Sequence, residues 1–293
     1  MTSESAYAPR RPGRRKELSV RGVRYSVTEW GDSSAPLFFF LHGWADTAAT
    51  FQFVVDALAR DWHVVAPDWR GFGHSRTAAT SYWFPDYLAD LHELLEVYSP
   101  GTPARIVGHS MGANVAGLYA GAFPERVRAF VNVEGFGLFD SDPADAPRRY
   151  RRWIEEGRDE SAFSTFADMG ALAAHVARKN PGVTPERADF VARQWGAEQP
   201  GGRVALRADP RHKLPNPVLN RRSEAEECWQ AITGDVLLVK GSASDAARQF
   251  AAIEGSFCPG DDTVCIADAG HMLHLEAPAA LAAAIEAFFS NHL

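Results

Sequence analysis

Cysteine is scarce. Cys228, Cys258 and Cys265 are the only three in 293 residues. The number is odd and no spacing is C-x-x-C, which argues against a disulfide framework or a cysteine zinc site and predicts a reducing, cytoplasmic setting. Long apolar runs are also missing. No stretch approaches the roughly 20 residues of a membrane span, so no span is expected. Arg10, Arg11, Arg14, Arg15 and Lys16 have no apolar segment behind them, so no secretory signal is expected. Internal repeats are absent, which excludes solenoids and propellers. Positive charge is short overall, with 30 Lys/Arg against 37 Asp/Glu and a net charge of −7. Residues 1–24 hold seven Lys/Arg against two Asp/Glu, and residues 135–232 hold fifteen of each, so the remainder is strongly acidic. An acidic body argues against nucleic acid as a partner. Residues 1–16 read as a flexible basic arm.

The rest of the chain has ordinary globular composition, 46% hydrophobic and 23% charged. Leu18-Ser19-Val20 and Val23 to Trp30 alternate as a hairpin around Arg21-Gly22. Leu37-Phe38-Phe39-Phe40-Leu41 and His63-Val64-Val65-Ala66-Pro67 are continuously apolar, the pattern of strands buried on both faces. Helical spacing follows each, first through Phe51, Val54, Val55 and Leu58, then through Tyr87, Leu88, Leu91, Leu94 and Leu95. Strand–helix alternation of this kind predicts an α/β fold, a mostly parallel sheet of about eight strands flanked by helices. The alternation breaks at Gly135 and resumes at Val236. Residues 135–232 are therefore read as an inserted helical cap, and residues 17–134 with 233–293 as the core.

One stretch organises the chemistry. The apolar run Ala104-Arg105-Ile106-Val107 ends in Gly108-His109-Ser110-Met111-Gly112, and small residues follow at 113, 116, 117, 120 and 121. A G-x-S-x-G between a strand and a helix sets a serine on a sharp turn, flanked by residues without bulk. The small residues let the following helix lie close to the sheet. Serine is a weak nucleophile at neutral pH and needs a base, an orienter for that base and an oxyanion hole. His271, on the loop after the last strand, is the candidate base. All parallel strands end on one sheet edge, so its loop shares that edge with Ser110. His274 is read as packing beneath the loop, and His42 and His109 as structural hydrogen-bonders. The oxyanion donors are the amide of Met111, first in its helix, and the amide of Trp44 after the strand ending at Leu41. The Trp44 side chain itself reads as a core aromatic.

His42-Gly43-Trp44, then Asp68 to Ser75 (Asp-Trp-Arg-Gly-Phe-Gly-His-Ser), then Gly108 to Gly112, then Gly270-His271 occur in an order and spacing that resemble the α/β-hydrolase superfamily. The likeness is to its capped serine-hydrolase-like group, near the haloalkane-dehalogenase-like branch. The resemblance implies Ser110 as nucleophile, His271 as base, Trp44 and Met111 as oxyanion donors, and Asp68 to Ser75 as a structural loop beside the site. It also implies that serine at the elbow does acyl chemistry, since dehalogenases and epoxide hydrolases of this architecture need aspartate there.

The acid departs from the family pattern. Its usual turn reads Gly241-Ser242-Ala243-Ser244-Asp245, with serine in the expected place and Asp245 one residue late. Glu134 ends the strand after the elbow helix, where some branches of the family carry their acid. Glu134 is the favoured acid and Asp245 the alternative. Trp83 and Trp153 are candidate substrate-binding aromatics. The arginines at 148, 149, 151 and 152 read as a solvated helix face. The expected activity is hydrolysis of a small-molecule carboxylic ester or related acyl bond, apolar or aromatic, with no metal and no organic cofactor. C–C bond hydrolysis or perhydrolysis on the same triad, or a non-catalytic small-ligand-binding role, are the alternatives.

Overall fold

A computed structural model of the chain describes residues 6–157, 163–251 and 262–292. In the core, β1 (Arg14–Val20) and β2 (Val23–Trp30) form a hairpin, and β3 (Leu37–Leu41), α1 (Gln52–Ala57), β4 (His63–Pro67), α2 (Phe84–Tyr98), β5 (Ala104–His109), α3 (Met111–Ala122) and β6 (Val127–Val133) follow. The cap carries α4 (Ala146–Glu156), α5 (Met169–Lys179), α6 (Pro185–Trp195), β7 (Gly196–Glu198) and β8 (Val204–Leu206). The chain then runs through α7 (Arg222–Gln230), β9 (Asp235–Gly241), α8 (Asp245–Phe250), β10 (Asp262–Ile266), α9 (Leu273–Glu276) and α10 (Pro278–Phe289).

The eight core strands lie in the order β1-β2-β4-β3-β5-β6-β9-β10. β1 and β2 pair antiparallel, as do β2 and β4, and every other neighbour is parallel. Arg21 and Gly22 both take positive φ in the β1–β2 turn, the geometry that matches strand twist in a two-residue hairpin. The run Phe38-Phe39-Phe40 shows why the sheet needs both faces covered. Phe38 and Phe40 pack with α1 and α10, while Phe39 packs on the opposite face with α2 and α3.

The small residues of α3 serve a neighbour that the sequence did not suggest. A Cβ on Gly121 would stand 1.9 Å from the Cys228 carbonyl oxygen, and one on Gly117 3.0 Å from Trp229 Nε1. Both glycines therefore let α7 press on α3, and Trp229 is buried there. So α7 belongs to the core layer, and the cap ends before Arg222 rather than at 232. The cap is also not purely helical, since β7 and β8 form a short antiparallel hairpin.

The basic arm is corrected as well. Residues 1–5 lie outside the described residues, but residues 6–16 are held against the core. The buried Asp56 carboxylate accepts from the Tyr7 hydroxyl at 2.6 Å and from the Arg10 and Arg11 amides at 3.1 and 2.8 Å. Tyr7 sits edge-on to Phe53 of α1 and Phe190 of α6, ring centroids 4.8 and 5.5 Å apart. A buried carboxylate must find donors, and this one finds them in a segment whose local composition reads as solvated.

Candidate active site

The six parallel strands, β3, β4, β5, β6, β9 and β10, deliver their C-terminal ends to one edge. Ser110 follows β5 with φ 50° and ψ −116°, a strained conformation for a residue with a side chain. The flanking glycines are a steric necessity. A Cβ on Gly112 would lie 2.2 Å from the Leu41 carbonyl oxygen, and one on Gly108 2.5 Å from Ala113 Cα. The Ser110 amide donates to Val133 O at 2.8 Å, which ties the elbow to the tip of β6.

Glu134 is the next residue, also at positive φ (58°), with its amide bonded to Val239 O of β9. Its side chain is buried but fully engaged. Oε1 accepts from the Gly241 amide at 2.8 Å. Oε2 accepts from the Ser244 hydroxyl at 2.5 Å and lies 3.0 Å from His271 Nδ1. A carboxylate only accepts, so Nδ1 is the donor in this contact, and in the neutral ring it is Nε2 that carries the lone pair. The structure thus brings Glu134 and His271 together. It does not bring Asp245 to them. Asp245 opens α8 with its side chain 97% exposed and pairs with Arg248 one turn on, while Ser244 caps the helix through the Ala247 amide.

The loop after β3 lies over the elbow. A Cβ on Gly43 would be 3.2 Å from Ser110 Cβ and 3.0 Å from His109 Nδ1. Trp44 follows it, and Ala45 turns the chain with φ 58°. Met111 is the first residue of α3, where helical amides have no partner within the helix. The Trp44 side chain is not a core aromatic. It is half exposed and meets Phe163 edge-on at 5.9 Å. His42 is buried and locked, with Nδ1 2.7 Å from Gly43 O and Nε2 accepting from the Trp69 amide at 2.8 Å. Burial lowers its pKa and keeps it neutral. The Asp68–Ser75 loop is equally fixed. Asp68 accepts from the Ala48 and His74 amides at 2.8 and 2.9 Å, and Arg70 forks onto buried Asp90 at 2.6 Å.

A buried network beneath the site escaped the sequence reading. His109 Nε2–H donates to the His271 carbonyl at 2.9 Å, and the two rings lie 4.9 Å apart. Burial, then the neighbouring His274 and His271, pushes His109 well below the usual histidine pKa. His274 meets Asp46 at 3.1 Å. Asp46 also accepts from the Thr47 amide, the Thr50 hydroxyl and, at 2.8 Å, Trp195 Nε1 of the cap. Among the described residues, Asp46, His109 and His274 are the group whose ligand atoms lie close enough to hold a metal, all within 4.8 Å. The Asp46 oxygens are already taken by these donors, so the cluster works as a hydrogen-bonded hub. No local pattern announced it, because its members come from residues 46, 109, 195 and 274.

Trp83 and Trp153 do come together, but in a cleft of about 40 Å³ that they line with Tyr82 and His212. That volume holds a few waters rather than a substrate. Its lining includes neither Ser110 nor His271. The arginine-rich helix α4 has no buried residue, as its reading as a solvated face implied.

Residues 36–278 match the α/β hydrolase fold family, and the chain belongs to it. A protein of Danio rerio described as "Serine hydrolase-like protein" is 30% identical over 220 residues, covering 72% of this chain and 66% of that protein. The chain thus spans just under two thirds of that relative. The 2-(acetamidomethylene)succinate hydrolase of Mesorhizobium japonicum is 26% identical over 229 residues, 78% of each chain. Among solved structures, the thioesterase domain from the curacin biosynthetic pathway is similar at a TM-score of 0.84 and 25% identity, covering 94% of this chain and 99% of that one. No helix among the described residues is long and apolar enough to cross a membrane.

Proposed function

We propose that the protein is a serine hydrolase that cleaves a carboxylic ester or related acyl bond, thioesters included, through an acyl-enzyme on Ser110. The observation that carries this reading is the Glu134–His271 contact at 3.0 Å on the sheet edge that also bears the strained Ser110 turn. In this reading His271 Nε2 accepts the Ser110 hydroxyl proton as Oγ attacks the substrate carbonyl. The Trp44 and Met111 amides hold the oxyanion, and Glu134 stabilises the imidazolium. Collapse of the tetrahedral intermediate expels the alcohol or thiol, which takes the proton from His271. Water then repeats the sequence on the acyl-enzyme and frees Ser110. The aromatic Trp44–Phe163 pair beside the oxyanion loop supports an apolar or aromatic acyl group. Cys228 and Cys265 are free thiols, in keeping with a reducing, cytoplasmic setting. The names of the curacin thioesterase domain and the Mesorhizobium hydrolase support hydrolysis as the reaction class.

Intact-mass analysis after treatment with a small fluorophosphonate tests the nucleophile. One adduct, absent from Ser110→Ala, is expected. A folded protein that takes no adduct overturns the reading and favours a ligand-binding role. A panel of short acyl, aromatic and thioester substrates then tests the acyl preference.

A further inference from the structure

A larger cleft, about 650 Å³, opens where the cap hairpin meets the loop after β4. Its lining includes Arg76, Arg207, Arg211 and Asp209, together with Ser75 and Tyr82. Arg211 is neutralised by Asp209 through a forked contact, and the Tyr82 hydroxyl occupies Asp209 as well. That leaves Arg76 and Arg207. Among the described residues neither has a carboxylate within ion-pair distance. Arg76 gives Nη1 to the carbonyls of Gly73 and Ser75, which carry no charge to offset it. Arg207 Nε is buried and has no acceptor. A chain of net charge −7 therefore places in one cleft two guanidiniums that have no ion-pair partner among the described residues.

Both guanidiniums stand on fixed backbone. The Arg207 amide donates to Trp195 O at 2.6 Å, and its carbonyl accepts from Gly73 N at 2.7 Å. Arg76 exchanges two backbone hydrogen bonds with Arg24, at 2.9 and 3.0 Å. Both line the same cleft, so chain geometry holds them near enough to repel each other. That repulsion is visible at Arg207, whose pKa is lowered by burial first and then by Arg76 and Arg15. The Asp68 carboxylate, which accepts from the Ala48 and His74 amides, offsets part of the charge on Arg207 without forming an ion pair with it. A buried donor without an acceptor costs about 1–3 kcal/mol, and more when charged, unless a ligand supplies the acceptor.

We propose that this cleft is a binding site for a tetrahedral oxyanion, sulfate- or phosphate-like, gripped by the Arg76 and Arg207 guanidiniums. Planar guanidinium forks suit such oxygens, and positions fixed in advance lower the cost of binding. The anion reaches the cleft either as a free inorganic ion or as the charged end of a larger substrate.

Isothermal titration of the full chain with inorganic sulfate, at low ionic strength and constant chloride, tests the site without needing turnover. Its outcome is therefore independent of the hydrolase reading. Saturable binding is expected, weakened at least tenfold in Arg207→Gln and in Arg76→Gln. Arg151→Gln, on the solvated face of α4, should bind as the parent does. Circular dichroism melts check that each variant is folded, and the exposed Arg76 makes its variant the safer of the two. Absence of saturable binding, or binding in both cleft variants as tight as the parent's, overturns the proposal. A second arm separates the two sources of the anion. Sulfate that competes only with a sulfated ester, and not with its neutral analogue, identifies the charged end of a substrate. Sulfate that binds without competing with either identifies a free anion.

Discussion

The Ser244 hydroxyl donates to the same carboxylate oxygen of Glu134 that faces His271 Nδ1. Ser244 occupies the turn position where related hydrolases place the acid, so the serine supports a carboxylate that comes from a different strand. The Gly241 amide holds the other oxygen. Three donors on one buried carboxylate offset its desolvation and fix the orientation of the imidazole.

The first prediction follows from that arrangement. Glu134→Gln keeps the shape of the side chain but removes its charge and permits the wrong imidazole tautomer. Its kcat/KM should fall about 10²–10⁴-fold, the scale seen when a triad acid is neutralised. Asp245→Asn, with its exposed side chain, should stay within about twofold of the parent by the ordinary behaviour of surface substitutions. Steady-state kinetics on one activated ester, with melting curves for both variants, checks the pair. A large loss in Asp245→Asn alone would reverse the assignment.

His109 acts on His271 through the backbone, donating to its carbonyl at 2.9 Å. His109→Phe keeps a ring in the space but leaves the His271 loop without that tether. We expect kcat to drop about tenfold with KM little changed, since a small misplacement of a catalytic group costs rate rather than binding. Unfolding would also lower apparent kcat at unchanged KM, so a circular dichroism melt and a fluorophosphonate active-site count must show the variant folded; a kcat per labelled site equal to the parent's would overturn the prediction.

Trp195 fastens the cap to the core through Asp46 at 2.8 Å. Trp195→Phe deletes that charge-assisted hydrogen bond, worth about 1.5–3 kcal/mol. Urea unfolding should show a loss of that size. Limited proteolysis should reach the cap sooner in the variant than in the parent.

Gly112→Ala tests the elbow sterically. The new Cβ would stand 2.2 Å from backbone oxygen of Leu41, which cannot rotate away. Overpacking of this kind costs about 1–3 kcal/mol, so a lowered melting temperature is expected together with loss of fluorophosphonate labelling.

Acid should destabilise the fold through histidines that burial keeps neutral. His42 and His109 are shifted down, and His212 is pushed down to about 3 by burial while stacked 3.8 Å from Phe72 and 3.5 Å from Tyr82. In the unfolded chain histidine titrates near 6.5. Above that pH both states are neutral and the contribution is complete. Below it the unfolded chain binds protons that the folded chain refuses, so stability falls with pH by up to about 1.4 kcal/mol per unit for each histidine. The urea midpoint should drop from pH 7 to pH 5, and His212→Phe should flatten that slope by up to one proton.

The strand–helix alternation, the elbow turn and the loop that carries His271 were legible because each is a local pattern. An apolar run of five, a glycine two residues either side of a serine, and a histidine on a loop after a strand carry their meaning within ten residues or so. The acid was legible only as a pair of alternatives, Glu134 and Asp245, since both sit at strand ends and sequence shows neither exposure nor hydrogen-bond partners. The arm was misread for a related reason. Its composition is polar and basic, and the Asp56 carboxylate that captures it lies about 45 residues away.

Sequence by itself determined the layered architecture and the backbone turn of the elbow, because periodicity and glycine sterics act between near neighbours and need no partner to be read. Tertiary structure alone decided which carboxylate meets His271, where the cap ends, how Asp46 ties Trp195 to His274, and that Arg76 and Arg207 share a cleft. Those outcomes rest on burial and charge between residues far apart in the chain. Coulomb and desolvation energies depend on distance in space and on exclusion of water, and neither is written in the order of the residues.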